Sequence, residues 1–370
     1  MNPVNRSKAS ICHAGTWIWG TLDSENGRVV AVHGDPIAAP KAPYLVPAFV
    51  DLHVHGGGGY EVMRAGEEVR GVAKFHARHG TGAFCPTTLT APLDQITTAI
   101  EAAAEAMKHP RAGEAEVLGV HIEGPFINPA KLGGQPAYAI APDLAVTQHW
   151  LDMAMIKIMT LAPELEGAEE LIELLTDYGA RVQVGHSLAD DHILASAEKW
   201  GASGYSHLFN AAAPLSARAP GVIGRALQHA HWAELICDLR HVHPTLLTHA
   251  IKTIPGAYSI TDCCAAGGLP DGDYALGLNP VTKADGVVYL HGTKQIAASV
   301  LTADEAFRNI VSLGVGLETA VEMTSARPAQ YIGASGYGGL TLGKFASAVL
   351  LDEDLTVSQV WLKGVEINEE

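Results

Sequence analysis

The stretch Val117–Phe126, V-L-G-V-H-I-E-G-P-F, reads as a buried strand that ends in an acid. Its apolar run opens the stretch, and the Gly-Pro that follows Glu123 stops the strand. A carboxylate at the mouth of a buried strand is costly unless something positive meets it. Glu123 therefore pairs with a Lys or Arg, or it meets a metal ion. Four other strand-like runs end in histidine, at His53 with His55, at His186, at His207 and at His241. Any one of them alone reads as a satisfied core histidine; their recurrence at the same end of apolar runs favours the ion.

Working outward, short apolar strands alternate with amphipathic stretches from Val46 onward. The pattern predicts eight strands: Val46–His55, Gly82–Thr87, Val117–Glu123, Ile156–Ala162, Arg181–His186, Ser203–His207, Leu235–Cys237 and Ala257–Asp262. Helical stretches such as Leu93–Lys108, Ala168–Tyr178 and Asp190–Trp200 lie between them. Eight strand–helix units predict an α/β fold, a (β/α)8 TIM-like barrel over residues 47–340 with its site at the C-terminal strand ends. Residues 9–47 read as short strands leading into a connection through Pro36, Pro40, Pro43 and Pro47. Helical patterns recur at about Thr302–Leu313, Leu317–Thr324 and Pro328–Gly333, and the tail returns to strands. Neither terminal strand set could bury itself alone. Residues 1–46 and 341–370 are therefore expected to pair into a small discontinuous β-sandwich domain.

The composition, 48% apolar and 17% charged, is that of an ordinary globular protein. A net charge of −16 argues against nucleic acid or an anionic membrane as partner. An anionic substrate needs a local cationic pocket against that field. Cys12, Cys85, Cys237, Cys263 and Cys264 are scattered and lack C-x-x-C spacing, which points to a reducing cytoplasm rather than a disulfide scaffold. The N-terminus has no apolar signal region and no 18-residue apolar run occurs, so a soluble cytoplasmic protein is expected.

His53 and His55 in F-V-D-L-H-V-H-G are two apart on a strand, so they point to one face and can meet one ion or two close ones. Gly56–Gly59 then lets the backbone turn sharply and leaves room for a ligand. His186 and His207 with Glu123 make a two-His-one-carboxylate set, a common open zinc site. Asp262 in Y-S-I-T-D-C-C is either the N-cap of a following helix or a general base that takes a proton from activated water.

The motifs G-V-H-I-E-G-P-F, V-G-H-S, S-H-L-F-N-A, R-A-P-G-V-I-G and I-T-D, in this order from about Val46 to Gly343, resemble those of the N-acetylglucosamine-6-phosphate deacetylases of the amidohydrolase superfamily. The resemblance implies Glu123, His186 and His207 as metal ligands and Asp262 as catalytic acid/base. It implies sugar contacts from Asn210 and Ala211, and phosphate contacts from His241 and Arg218. In that family the Arg comes from the partner subunit, which implies a homodimer. Members that keep H-x-H hold two metals and those that lost it use one; this chain keeps His53 and His55. The ion implied is divalent, zinc first, with Fe, Mn or Co as alternatives, at one or two per subunit.

The chain departs from the family pattern where substrate is read. Gln135 in K-L-G-G-Q stands where the family has a sugar-touching His, Cys264 where it has Met, and Ala298 in I-A-A-S where it has Gly. Reaction type is untouched by these changes, while the sugar epimer and acyl group are open. The expected activity is deacetylation of N-acetylglucosamine 6-phosphate, with a galactosamine epimer or another acyl group as alternative. Cyclic-amide hydrolases of the same superfamily bridge two metals with a carboxylated Lys at the end of strand four. Here Lys157 lies at the beginning of I-K-I-M-T-L-A-P-E and none lies at its end. A barrel kept only for binding would show gaps among the ligands, and there are none.

Overall fold

The computed structural model describes residues 2–5 and 7–367. Its centre is eight strands: β1 (Phe49–Val54), β2 (Thr81–Pro86), β3 (Val120–Glu123), β4 (Ile156–Leu161), β5 (Arg181–Val184), β6 (Ala202–Tyr205), β7 (Trp232–Ile236) and β8 (Gly256–Ile260). Strands β3 to β8 pair in parallel in chain order, and β1 pairs in parallel with β2. Two bridges link these runs: Thr87 with His121 joins the ends of β2 and β3, and Val54 with Cys263 joins the end of β1 to the chain just past β8. Backbone hydrogen bonds from Asp262 N to His53 O and from His55 N to Cys263 O, each 2.9 Å, lie at that second join. The ends of β1 and β8 that carry polar residues are thereby brought side by side.

Helices between the strands bury one stripe each. In Leu93–Lys108, Ile96, Ala99, Ile100 and Ala103 are buried at helical spacing. Asp190 caps Asp191–Trp200 by accepting from Ile193 N at 2.9 Å. No helix among the described residues is long and apolar enough to cross a membrane.

Two of the predicted strands are interrupted. In the run from Val117 to Glu123, Glu116–Val117 pairs with β2, whereas Val120–Glu123 pairs with β4. Gly119 makes the break with φ 143°, and a Cβ there would stand 2.5 Å from Lys157 Cγ. The run from Val46 to His55 breaks at Pro47. Tyr44–Pro47 pairs with Ala9–His13 and Ala348–Leu351, while Phe49–Val54 joins the central strands. Pro47 has no N–H to continue a ladder. Ala48 N then bonds Ser347 O and Phe49 N bonds Gly80 O, both at 2.9 Å, so the chain changes sheets across one peptide.

Strands from both ends of the chain share one eight-stranded sheet, joined where Tyr44–Pro47 meets Ala348–Leu351. Ile11, Leu22, Leu45, Ala348 and Trp361 form its buried face. A further four-stranded antiparallel sheet, Gly272–Leu276, Asn279–Ala284, Val287–Leu290 and Ile296–Ala298, was not anticipated. Its strands are short and half-exposed, so they show neither a long apolar run nor clean alternation. It matters because Leu276, Ile296 and Ala297 line the site described next.

Candidate metal and catalytic site

The polar residues at the strand ends converge on one cluster. Glu123 closes β3, while His186, His207 and Asp262 each follow their strand by two residues with left-handed φ of 49°, 25° and 51°. Such angles are uncommon outside glycine and cost on the order of 1–3 kcal/mol each, so surrounding contacts must hold them. The turn they make aims each side chain over the strand ends instead of along the sheet.

Glu123 Oε1 lies 3.1 Å from His186 Nε2 and 2.8 Å from His207 Nε2, and the two nitrogens are 3.0 Å apart. His186 Nδ1 donates to Lys131 O at 2.8 Å, so its Nε2 carries a lone pair. Two ring nitrogens and a carboxylate oxygen facing one point repel unless a cation sits among them. Tetrahedral zinc with ligands at ~2.0–2.2 Å sets donors roughly 3.3 Å apart, close to the spacing here. The donor set therefore fits a divalent ion.

His53 and His55 repeat the pattern. His53 Nδ1 donates to Glu234 Oε2 at 2.9 Å and His55 Nδ1 to Thr87 O at 3.2 Å, leaving their Nε2 atoms 3.2 Å apart. His55 Nε2 is 3.3 Å from Glu123 Oε2 and 3.1 Å from Asp262 Oδ1. Glu123 thus reaches both donor groups, Oε2 toward His55 and Oε1 toward His186 and His207 with His53 at 3.4 Å. Two sets, Glu123–His186–His207 and His53–His55–Glu123, have the geometry of cation sites. His121 is a different case: Leu52 O and Thr160 Oγ1 occupy both its ring nitrogens at 2.8 Å.

Burial opposes charge on Glu123, yet the imidazoles of His53, His186 and His207 around it outweigh burial and hold its carboxyl well below the usual range. Burial likewise opposes charge on Asp262, and His55 with the neighbouring imidazoles keeps it ionised and low. Burial pulls His55 down, but Asp262 and Glu123 outweigh it and lift it to about 9. The two acids draw positive charge into the cluster, which protons or a divalent ion can supply.

Comparison with known proteins agrees with this geometry. The amidohydrolase family pattern matches residues 44–367. An N-acetylgalactosamine-6-phosphate deacetylase of Escherichia coli O157:H7 is 37% identical, covering 98% of this chain and 99% of its own. An N-acetylglucosamine-6-phosphate deacetylase of Vibrio furnissii is 36% identical over 93% of this chain and 89% of its own. The chain belongs to the N-acetylglucosamine-6-phosphate deacetylase family of amidohydrolases. Solved structures of this family superpose closely. The Thermotoga maritima enzyme has a TM-score of 0.89 at 27% identity, covering 98% of this chain and 99% of its own. A mutant Mycobacterium smegmatis enzyme in complex with N-acetyl-D-glucosamine-6-phosphate has a TM-score of 0.89 at 31% identity, covering 97% and 99%. Like the family, this chain is a hydrolase acting on an amide bond.

The cluster opens into a pocket of about 390 Å3. Gln135, Asn210, Ala211 and His241 line it together with His55, Glu123, His186, His207 and Asp262. Ala298 is buried at the end of the strand Ile296–Ala298 and is not among the lining residues. Arg218 is exposed on the bend before the helix Gly221–His229 and is not among the lining residues. His241 does not end a strand as expected: β7 stops at Ile236, and His241 sits on the following turn, held by Asp238 Oδ2 at 2.6 Å. No helix follows Asp262; the chain turns through 263–270 toward the antiparallel sheet, which removes the helix-cap reading.

Sequence reasoning missed two residues. Glu234 is fully buried in β7 and accepts from His53 Nδ1, from Ser206 Oγ at 3.1 Å, from His207 N at 3.2 Å and from Tyr258 OH at 3.2 Å. The signal was an acid inside the apolar run W-A-E-L-I, the same signal that singled out Glu123. Lys131, in the stretch already quoted for Gln135, is the one Lys or Arg among the described residues lining the pocket, and its Nζ donates to Ala212 O at 3.0 Å.

Proposed function

We propose that this protein hydrolyses the N-acetyl group of N-acetylglucosamine 6-phosphate to give glucosamine 6-phosphate and acetate. The observation that carries the reading is the convergence of Asp262 with both donor sets in one pocket beside Lys131 and His241. Glu123, His186 and His207 hold the required ion, and His53 with His55 and Glu123 hold a second; zinc suits this nitrogen and oxygen set. When bound, such an ion supplies Lewis acidity toward the amide carbonyl and makes water more acidic. Asp262, kept ionised by His55, takes the proton of the attacking water and returns it to the amine nitrogen as the C–N bond breaks. Asn210 and Ala211 contact the sugar in the pocket that Gln135 also lines. Lys131 and His241 offer positive charge to the phosphate against the field of a −16 chain. Arg218 completes that site from the partner subunit of a homodimer.

The strand order supports a closed (β/α)8 barrel over residues 47–340. The small β-sandwich domain of 1–46 and 341–370 is a unit attached to it. The protein works in the cytoplasm, as five free cysteines suit.

A second reading takes the galactosamine epimer as substrate, favoured by the E. coli relative that aligns over 98% of this chain. Acetate release from the two sugar phosphates, measured side by side with zinc- or cobalt-loaded protein, decides between them. Failure to turn over any N-acyl amino sugar phosphate refutes the proposal.

A further inference from the structure

Gln135 is buried, and its amide is spent on the protein itself. Its Oε1 accepts from Thr90 N at 2.6 Å, and its Nε2 donates to Glu123 Oε2. The amide orientation is decided by both ends at once. Turned over, it would set a carbonyl against the carboxylate and an NH2 against a backbone N–H.

The segment that carries Gln135 holds a second ligand as well. Lys131 O accepts from His186 Nδ1 at 2.8 Å and thereby selects the tautomer that leaves Nε2 free. Gln135 N bonds back to Leu132 O at 2.8 Å, closing the segment into a turn. The antiparallel sheet then fastens the turn from outside: Gln295 Nε2 donates to Gly133 O at 2.8 Å and Asn279 Nδ2 to Gly134 O at 3.0 Å. Gly134 has no room for a side chain, since a Cβ would stand 2.1 Å from Ala297 O. Two of the three residues in the Glu123–His186–His207 set are thus oriented by one five-residue turn.

We infer that Gln135 is a positioning residue that holds the Glu123 carboxylate between the two donor groups, and that it does not read the sugar. Glu123 Oε1 must face His186 and His207 while Oε2 faces His55 at 3.3 Å. A carboxylate can rotate about its last bond, and the donor at Oε2 fixes its plane. The inference rests on Glu123 as a metal ligand.

Cobalt titration of the metal-stripped full chain, followed by visible absorption, tests it. Gln135→Leu keeps the volume and removes the donor, and Gln135→Met does the same with an unbranched chain if the first variant does not fold. Either should weaken Co2+ binding about 10- to 100-fold, as loss of a ligand-orienting hydrogen bond typically does, and should shift the cobalt spectrum. The ratio of kcat/KM for the glucosamine and galactosamine substrates should stay at the wild-type value. Unchanged cobalt affinity and spectrum overturn the inference. So does an altered substrate ratio with wild-type affinity, which makes Gln135 a substrate reader, or a lowered Tm with wild-type affinity, which makes it a packing residue. Glu123→Ala is the separate control: if it binds cobalt like wild type, the metal site itself is misassigned and Gln135 is not on trial.

Discussion

Replacing Glu234 by Gln tests how the first histidine pair is held. Glu234 is fully buried, and one oxygen accepts from His53 Nδ1, Ser206 Oγ and His207 N while the other accepts from Tyr258 OH. In the Gln variant the amide oxygen can keep the three donors only if the NH2 faces Tyr258. Gln183 Nε2 already donates to Tyr258 OH at 2.8 Å, so the phenol proton loses its acceptor. His53 also loses a charged partner, and hydrogen bonds to charged groups contribute ~1.5–3 kcal/mol each. With its Nδ1 proton less firmly held, His53 presents its Nε2 lone pair less often. The expected result is a 10- to 100-fold weaker affinity for an ion at His53 and His55, roughly 1.4–2.7 kcal/mol. The Glu123–His186–His207 ion should be retained, because the amide oxygen still accepts from His207 N. Equilibrium dialysis against Co2+ with elemental analysis resolves the two affinities. Glu234→Ala should do more, lowering thermal stability as well, because it strands several buried donors at on the order of 1–3 kcal/mol each. A Gln variant that binds both ions as tightly as wild type, with its Ala counterpart equally stable, would refute the argument.

Asp262→Asn should keep metal and fold while kcat falls ~10²- to 10⁴-fold, the usual contribution of a positioned acid–base group; rates per equivalent of bound metal check this. Lys131→Met should raise KM for the phosphorylated sugar and scarcely alter the slow hydrolysis of its neutral counterpart, since the backbone carbonyl that holds His186 is unchanged. Mixing inactive Asp262→Asn with inactive Arg218→Ala should recover part of the activity if the Arg acts across a dimer; no recovery in verified mixed dimers places it elsewhere. Burial depresses His76 to about 4, with its ring N–H spent on Gly56 O at 2.9 Å. The folded chain thus refuses a proton that the unfolded chain takes up near pH 6.5. Stability from this group is complete above that pH and is lost as pH falls toward 4, by roughly 3 kcal/mol. Tm measured across this window should fall less steeply in His76→Gln than in wild type.

Much of the molecule was legible locally. Strand–helix alternation needs only runs of apolar residues and their period, so the helical stretches and the strands that lead to Glu123, His186 and His207 could be read from neighbouring residues. The ligand types could be read as well, because an acid or histidine closing an apolar run is conspicuous wherever the chain goes next. Gly119 and Pro47 break two strands that read as continuous in the sequence, because which sheet each flanking half joins depends on partners such as Ser347, some 300 positions away.

Other features were decided only by the tertiary structure. The tautomer of His53 is set by Glu234, 181 residues distant, and that of His186 by the carbonyl of Lys131, 55 residues distant. Gln135 reads as a sugar contact from the family position it occupies, whereas its hydrogen-bond partners Thr90 and Glu123 are brought to it only by the fold. The antiparallel sheet over the pocket has strands too short and too exposed to announce themselves. The sequence by itself determined which groups can bind a cation and move a proton, because those are properties of side chains. Which lone pairs are free, which carboxylate oxygen faces which histidine, and what walls the pocket followed only from folding, because hydrogen bonds and burial join residues that the sequence keeps far apart.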